Sequence, residues 1–153
     1  MKILVSACLL GENCKYSGGN NYNQAVCDFA RGHQVVLVCP EVLGGLPTPR
    51  CPAEIVQGVV TNKEGINVDR EFRAGAAKAL AIAKENGVEL AILQSRSPSC
   101  GVKEIYDGTF SGTKIPGQGV FAKMLMDEGI RVLDAGELHR IILKNEDGKC
   151  QSD

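Results

Sequence analysis

The apolar residues of this chain fall into short continuous runs, separated by longer stretches in which they recur at helical spacing. Lys2-Ile3-Leu4-Val5-Ser6-Ala7, Gln34-Val35-Val36-Leu37-Val38, Val88-Glu89-Leu90-Ala91-Ile92-Leu93 and Ile130-Arg131-Val132-Leu133 read as strands. Runs of β-branched residues and leucine without polar alternation suit a parallel sheet covered on both faces. Helical patterns lie between them, over about 21–30, 69–86, 117–128 and 136–144. In the longest, Phe72, Ala76, Leu80 and Ala83 share one stripe, Asp69 suits the N-cap and Gly87 follows the end. Alternating strands and helices require right-handed crossovers. The pattern therefore predicts an α/β fold, a three-layer α/β/α sandwich with a mostly parallel, Rossmann-like sheet and the strand order two-one-three.

Two segments interrupt the alternation. Residues 40–68 are rich in Gly and Pro and too long for an ordinary connection. They are expected to carry function and a small hairpin, Val59-Val60-Thr61 against Ile66-Asn67-Val68 around Gly65. A second Gly-rich stretch covers 101–119. Residues 1–145 read as a single domain and 146–153 as a frayed polar tail.

Composition narrows the function classes. With 153 residues, 44% hydrophobic, 23% charged and a formal net charge of -1, the chain has neither a basic footprint for nucleic acid nor one for an anionic membrane. No apolar stretch approaches the roughly 20 residues of a membrane span, and the N-terminal run is too short for a signal sequence, so the protein is expected in the cytoplasm. Seven cysteines is an odd number. In a chain able to bury its own core they read as thiols, ligands or nucleophiles rather than a disulfide framework.

Three of them occupy equivalent places. Cys8 ends the first strand, Cys39 ends the second, and Cys100 lies in the loop leaving the third. In open α/β sheets the crevice beyond the carboxyl ends of the strands is where ligands bind. Three soft thiolates there can hold zinc or an iron–sulfur cluster. Taken one at a time, each is more often a small buried hydrophobe than a ligand, and it is their joint placement at three strand ends that brings the ligand reading level. The two histidines, His33 and His139, are placed on helix edges away from the strand ends. Cys27 reads as core, Cys150 lies in the tail, and Cys14 and Cys51 belong to loops near the crevice.

Glu41, two residues after Cys39, can act as a general acid or base or simply be a solvated carboxylate. Ser97, in Ser97-Pro98-Ser99-Cys100-Gly101, can position a water or serve a turn. Arg50 follows two nearby prolines; it can bind an anion or pair with Glu41 or Glu54. The helix starts after Lys15-Tyr16-Ser17-Gly18-Gly19 and at Gly117-Gln118-Gly119 offer free N–H groups to an anion.

Val5-Ser6-Ala7-Cys8-Leu9-Leu10-Gly11, Cys39-Pro40-Glu41-Val42 with Gly44-Gly45-Leu46-Pro47-Thr48-Pro49-Arg50, and Ser97-Pro98-Ser99-Cys100-Gly101 resemble the thiouracil desulfidase family. The likeness continues through Ile105-Tyr106-Asp107-Gly108-Thr109-Phe110 and Pro116-Gly117-Gln118-Gly119-Val120. The resemblance implies a [4Fe–4S] cluster on Cys8, Cys39 and Cys100 with one iron free of protein ligands. It implies Glu41 and Ser97 as catalytic residues, and sulfide release from thiouracil or a thiouridine nucleotide without net redox change. Tyr16, Arg50 and Ser99 are the expected substrate contacts. The expected partner is a small thiolated pyrimidine rather than a stably bound nucleic acid or a membrane. A cluster-free thiol or persulfide sulfurtransferase, or a redox protein, is the alternative, and a non-catalytic nucleotide-binding or metal-storage module a third reading.

Overall fold

A computed structural model describes residues 1–138. Its four-stranded parallel sheet consists of β1 (Lys2–Ser6), β2 (Gln34–Val38), β5 (Leu90–Leu93) and β8 (Arg131–Asp134), in the order β2-β1-β5-β8. Ile3 is registered against Val35 on one side and Leu90 on the other, which centres β1 in the sheet. The alternation of side chains along each strand separates two cores. Leu4, Ala91 and Leu93 face Phe72, Ala76 and Ala79 of α3 (Asp69–Glu85) and Phe121 and Leu125 of α4 (Val120–Asp127). Ile3, Val5, Leu90 and Ile92 pack with Val26 and Ala30 of α1 (Gln24–Ala30) and with Leu138. Helices on both faces give the expected three layers, and β1 lies beside β5 as the order two-one-three requires.

β2 departs from its expected surroundings. Its apolar run predicts burial on both faces, yet Val35 and Leu37 are 36% and 38% exposed. The strand lies at the sheet edge, and α1, only seven residues long, leaves part of that face uncovered.

The irregular segment after β2 is richer than its sequence pattern. It contains α2 (Pro40–Leu43) and a hairpin of β3 (Ala53–Val56) and β4 (Val59–Asn62). Gln57 and Gly58 both have positive φ, 51° and 83°, as the tight turn of a twisted hairpin requires. The expected pairing around Gly65 also forms, but on the opposite edge of β4: Thr61 bridges Asn67, and Val68 N–H donates to Val60 O at 2.9 Å. Residues 101–119 hold a further hairpin, β6 (Glu104–Tyr106) with β7 (Lys114–Pro116). Asp69 is the first residue of α3 rather than its cap; its carboxylate accepts from Val60 N–H at 3.0 Å and pairs with Arg73 at 2.7 Å. Of the helix expected over 136–144, the described residues show the short 3-10 turn Ala135–Glu137. The remainder of that helix, His139, Cys150 and the tail lie outside the described residues.

Two glycines set the position of α2. A Cβ on Gly44 would stand 2.0 Å from Glu71 O, and one on Gly75 would stand 1.8 Å from Pro40 O. The backbones of α2 and α3 therefore meet directly, and this contact fixes Pro40 and Glu41 relative to the sheet. Alanine is the better helix former by about 0.5–1 kcal/mol, but Gly75→Ala is expected to lower stability by at least about 1–3 kcal/mol through overpacking. Thermal unfolding checks this; a midpoint at or above that of the parent would mean α2 seats differently.

Candidate functional site

Cys8 lies in the 3-10 turn that continues β1, Cys39 directly follows β2 and caps α2, and Cys100 lies in the tight loop after β5. All three line one cavity of about 270 Å³, against about 30 Å³ for a water molecule. The cavity sits beyond the carboxyl ends of β1 and β5, where the strand order reverses.

Each sulfur has its own donors. Asn21 Nδ2 donates to Cys8 Sγ at 3.4 Å, and Ser6 Oγ donates to Cys100 Sγ at 3.3 Å. Cys39 Sγ lies 3.8 Å from the Cys14 carbonyl oxygen, and the Cys14 thiol neighbours both Cys8 and Cys39. Its S–H lowers Cys8 to about 7 against the opposing effect of burial, with Asn21 adding to the shift. The same S–H, helped by the Val42 N–H and the Arg50 charge, lowers Cys39 to about 6. Cys14 itself is held protonated, its pKa raised by the two thiolates it serves. Burial pushes Cys100 up to about 12, with the Ser6 hydroxyl working against the rise.

This donor set suits soft-metal ligation. Hydrogen bonds to sulfur stabilise the thiolate and are among the features that tune iron–sulfur clusters. Among the described residues no three His, Cys, Asp or Glu close around a single ion. The thiols of Cys8, Cys39 and Cys100 border one shared space, where three cysteine thiolates are the ligand type an iron–sulfur cluster takes.

Beside the thiols, Glu41 is held from both ends. Arg50 Nε and Nη2 donate to Glu41 Oε1 at 3.0 and 2.9 Å. Ser99 Oγ donates to Oε2 at 2.9 Å, with Ser97 Oγ at 3.4 Å. The Arg50 side chain is 6% exposed and that of Glu41 14%. The remaining guanidinium N–H groups reach Pro47 O, Thr48 Oγ1 and Cys14 O, so all five donors of the arginine are engaged inside the protein. Of the alternatives open for Arg50, the geometry has the pairing with Glu41; no donor is left for an anion.

The Ser97–Cys100 loop rests on the start of α4. Val120 N–H donates to Pro98 O, and Phe121 and Ala122 N–H both donate to Ser99 O. Gly119 makes the approach possible, because a Cβ there would stand 2.5 Å from Ser99 C. The N–H groups at this helix start, open to an anion by sequence, are thus used by the loop.

The model of the 2-thiouracil desulfurase family matches residues 3–137. The chain belongs to that family. It is 42% identical over 150 residues to the uncharacterised protein YbbK of Bacillus subtilis (strain 168), covering 92% of this chain and 99% of YbbK. A solved structure of the [4Fe–4S]-dependent thiouracil desulfidase TudS superposes with a TM-score of 0.83 at 40% identity, covering 94% of this chain and 96% of TudS.

For this family member, the structure brings together every residue singled out for chemistry: Cys8, Cys39, Cys100, Glu41, Ser97, Ser99, Arg50 and Tyr16 all line the cavity, as do Cys14 and Cys51. Tyr16 is 47% exposed at its mouth. Cys27, expected in the core, is half-buried on α1. His33 stays remote from the site, its ring stacked on Phe29 with centroids 5.2 Å apart. Sequence reasoning missed Ser6, Asn21, Tyr106 and Arg96. Ser6 and Asn21 lie inside or beside the motifs quoted above, but their roles depend on a sulfur brought near only by folding.

In cluster-free protein, Cys8 and Cys39 are expected to react with iodoacetamide at neutral pH, the rate at each falling as pH drops through about 7 and about 6 respectively. Cys100 should stay unmodified. Cys14→Ala removes the shared donor, so labelling of both Cys8 and Cys39 at neutral pH should slow. Peptide mapping by mass spectrometry reads each site, and unchanged rates in Cys14→Ala would refute the role given to that thiol.

Proposed function

We propose that residues 1–145 form one desulfidase domain that hydrolyses the thiocarbonyl of a thiouracil, free or as a thiouridine monophosphate, to the oxo base with release of sulfide. The observation that carries this reading is the meeting of three thiols from three strand ends with Glu41 and Ser97 at one cavity. Cys8, Cys39 and Cys100 are the residues that would hold a [4Fe–4S] cluster. Three ligands for four irons leave one iron without a protein ligand, and when bound the group supplies a soft Lewis acid for a thiocarbonyl sulfur.

The protein's own part is proton handling and placement. Arg50 occupies Oε1 of Glu41 and turns Oε2 towards the serines. From there Glu41 takes a proton from water as the water oxygen bonds to the thiocarbonyl carbon, and returns it to the departing sulfur. The net change is C=S plus water to C=O plus hydrogen sulfide, with no electron transferred. Ser97 accepts N–H donors from Ser99 and Cys100 at 3.0 and 3.1 Å. It is left as a donor, with Ser99 Oγ at 2.9 Å and Glu41 Oε2 at 3.4 Å in its reach, which ties it to the carboxylate that handles the proton. Tyr16, at the mouth, offers a ring face to the base.

Arg96 supports the nucleotide form of the substrate. It lines the cavity and the polar groove beside it, which is bordered by Asn20, Asn23 and Gly136. Its backbone is held at a φ of 63°. In contrast with Arg50, it makes no side-chain hydrogen bond or ion pair among the described residues.

Anaerobic reconstitution followed by sulfide assay on 2-thiouracil, 4-thiouracil and their monophosphates tests the reading. Sulfide release should require iron, vanish in Cys100→Ala, and fall roughly 10²–10⁴-fold in Glu41→Gln with the cluster retained. Turnover by cluster-free protein would sink the proposal in favour of thiol chemistry. Replacing Arg96 by Ala should raise KM for the monophosphate roughly 10- to 100-fold, from the loss of a charge-assisted hydrogen bond of about 1.5–3 kcal/mol, and leave the free base unaffected. Equal losses on base and nucleotide would remove Arg96 from phosphate recognition.

A further inference from the structure

The serine pair beside Glu41 has a definite polarity. Ser97 Oγ accepts from the N–H groups of Ser99 and Cys100 at 3.0 and 3.1 Å, which uses both of its lone pairs. Its own proton must therefore point outward, and the nearer acceptor is Ser99 Oγ at 2.9 Å, against 3.4 Å to Glu41 Oε2. Ser99 cannot return a proton to an oxygen already filled. Its hydroxyl has two other acceptors in reach, Glu41 Oε2 at 2.9 Å and Cys100 Sγ at 3.7 Å. The carboxylate is nearer and is the stronger acceptor.

We propose that Ser99 is a positioning residue for the reaction, which sets a one-way hydrogen-bond chain from Ser97 through Ser99 to Glu41. The inference rests on the reading of Glu41 and Ser97 given above and deepens it. Ser99 is 1% exposed, so its hydroxyl serves neighbours rather than a bound base. It acts in two ways. By taking the Ser97 proton it keeps that hydroxyl off Glu41 Oε2, where one acceptor site stays open to water. By donating to the same oxygen it holds the carboxylate in the plane that Arg50 sets from the other side.

The chain also isolates Cys100 from Glu41. While Ser99 donates to the carboxylate, the sulfur keeps only Ser6 as its hydroxyl donor, at 3.3 Å. Removing the carboxylate frees the Ser99 proton for the sulfur, a change that a residue acting only as packing would not produce.

Neutron diffraction on the deuterated protein reads the polarity without reference to turnover. The deuterium on Ser97 should lie on the line to Ser99 Oγ, and that on Ser99 on the line to Glu41 Oε2. A Ser99 deuterium directed at Cys100 Sγ overturns the proposal. In the reconstituted enzyme, Ser99→Ala should lower kcat at least tenfold with KM within twofold and iron and sulfide content unchanged. Glu41→Gln/Ser99→Ala should be no slower than Glu41→Gln alone; losses that multiply would assign Ser99 to packing and overturn the proposal. Glu41→Ala should shift the Fe–S(Cys) stretching bands in resonance Raman spectra, and Glu41→Ala/Ser99→Ala should not; the same shift in both overturns it. Wild-type protein that binds a cluster yet releases no sulfide would refute the functional reading alone, since the neutron and Raman outcomes stand apart from it.

Discussion

The pairing of Arg50 with Glu41 is the constraint from which the rest of the site follows. Both side chains are largely withdrawn from solvent, so each charge needs the other. Breaking such a pair from one side typically costs about 3–5 kcal/mol because the remaining charge stays buried. The guanidinium does more than neutralise. Its contacts with Cys14 O, Pro47 O and Thr48 Oγ1 tie together the loop after β1 and the loop after α2. Arg50 N–H adds a bond to Tyr16 O at 2.7 Å. Lysine carries the charge but not the planar fork, which is why this position demands arginine.

Within that frame the cysteines are chemically unlike one another although all are reduced. Cys8 and Cys39 are poised towards the thiolate by the neighbouring Cys14 thiol together with Asn21 and the Val42 N–H, whereas Cys100 is deeply buried with the Ser6 hydroxyl beside it. A site assembled from strand ends inherits such differences. Each strand ends in a different loop, and each loop brings its own donors.

The sheet was legible in the sequence because its strands are continuous apolar runs, and its order followed from placing the first run at the centre. The hairpins were less so. The turn Gln57-Gly58 lacks the Asn-Gly or Asp-Gly that announces a tight reversal, and β6 and β7 are three residues each, too short to show a period. Burial of β2 was overestimated because composition does not reveal which strand becomes the edge. At the site, the cysteines, Glu41 and Ser97 stood out as motif residues. The role of Arg50 did not: nothing local decides between a distant carboxylate and a ligand. Nor does sequence show that Ser99 and Ser97 differ, since the difference lies in which backbone N–H groups reach each hydroxyl.

The seating of the Ser97–Cys100 loop on α4 joins the loop that carries Cys100 to a helix terminus. First-turn amides of a helix ordinarily look to water or a capping side chain; here they are satisfied by carbonyls of the loop that carries Ser97, Ser99 and Cys100. Neither partner can let go without leaving polar groups bare on both. The loop and the helix start therefore form one cooperative unit, and the floor of the cavity has the rigidity of a helix terminus rather than the mobility of a surface loop. Adjustment to a ligand is left to the other side of the cavity, where Tyr16 is 47% exposed and the segment between β1 and α1 lines the space.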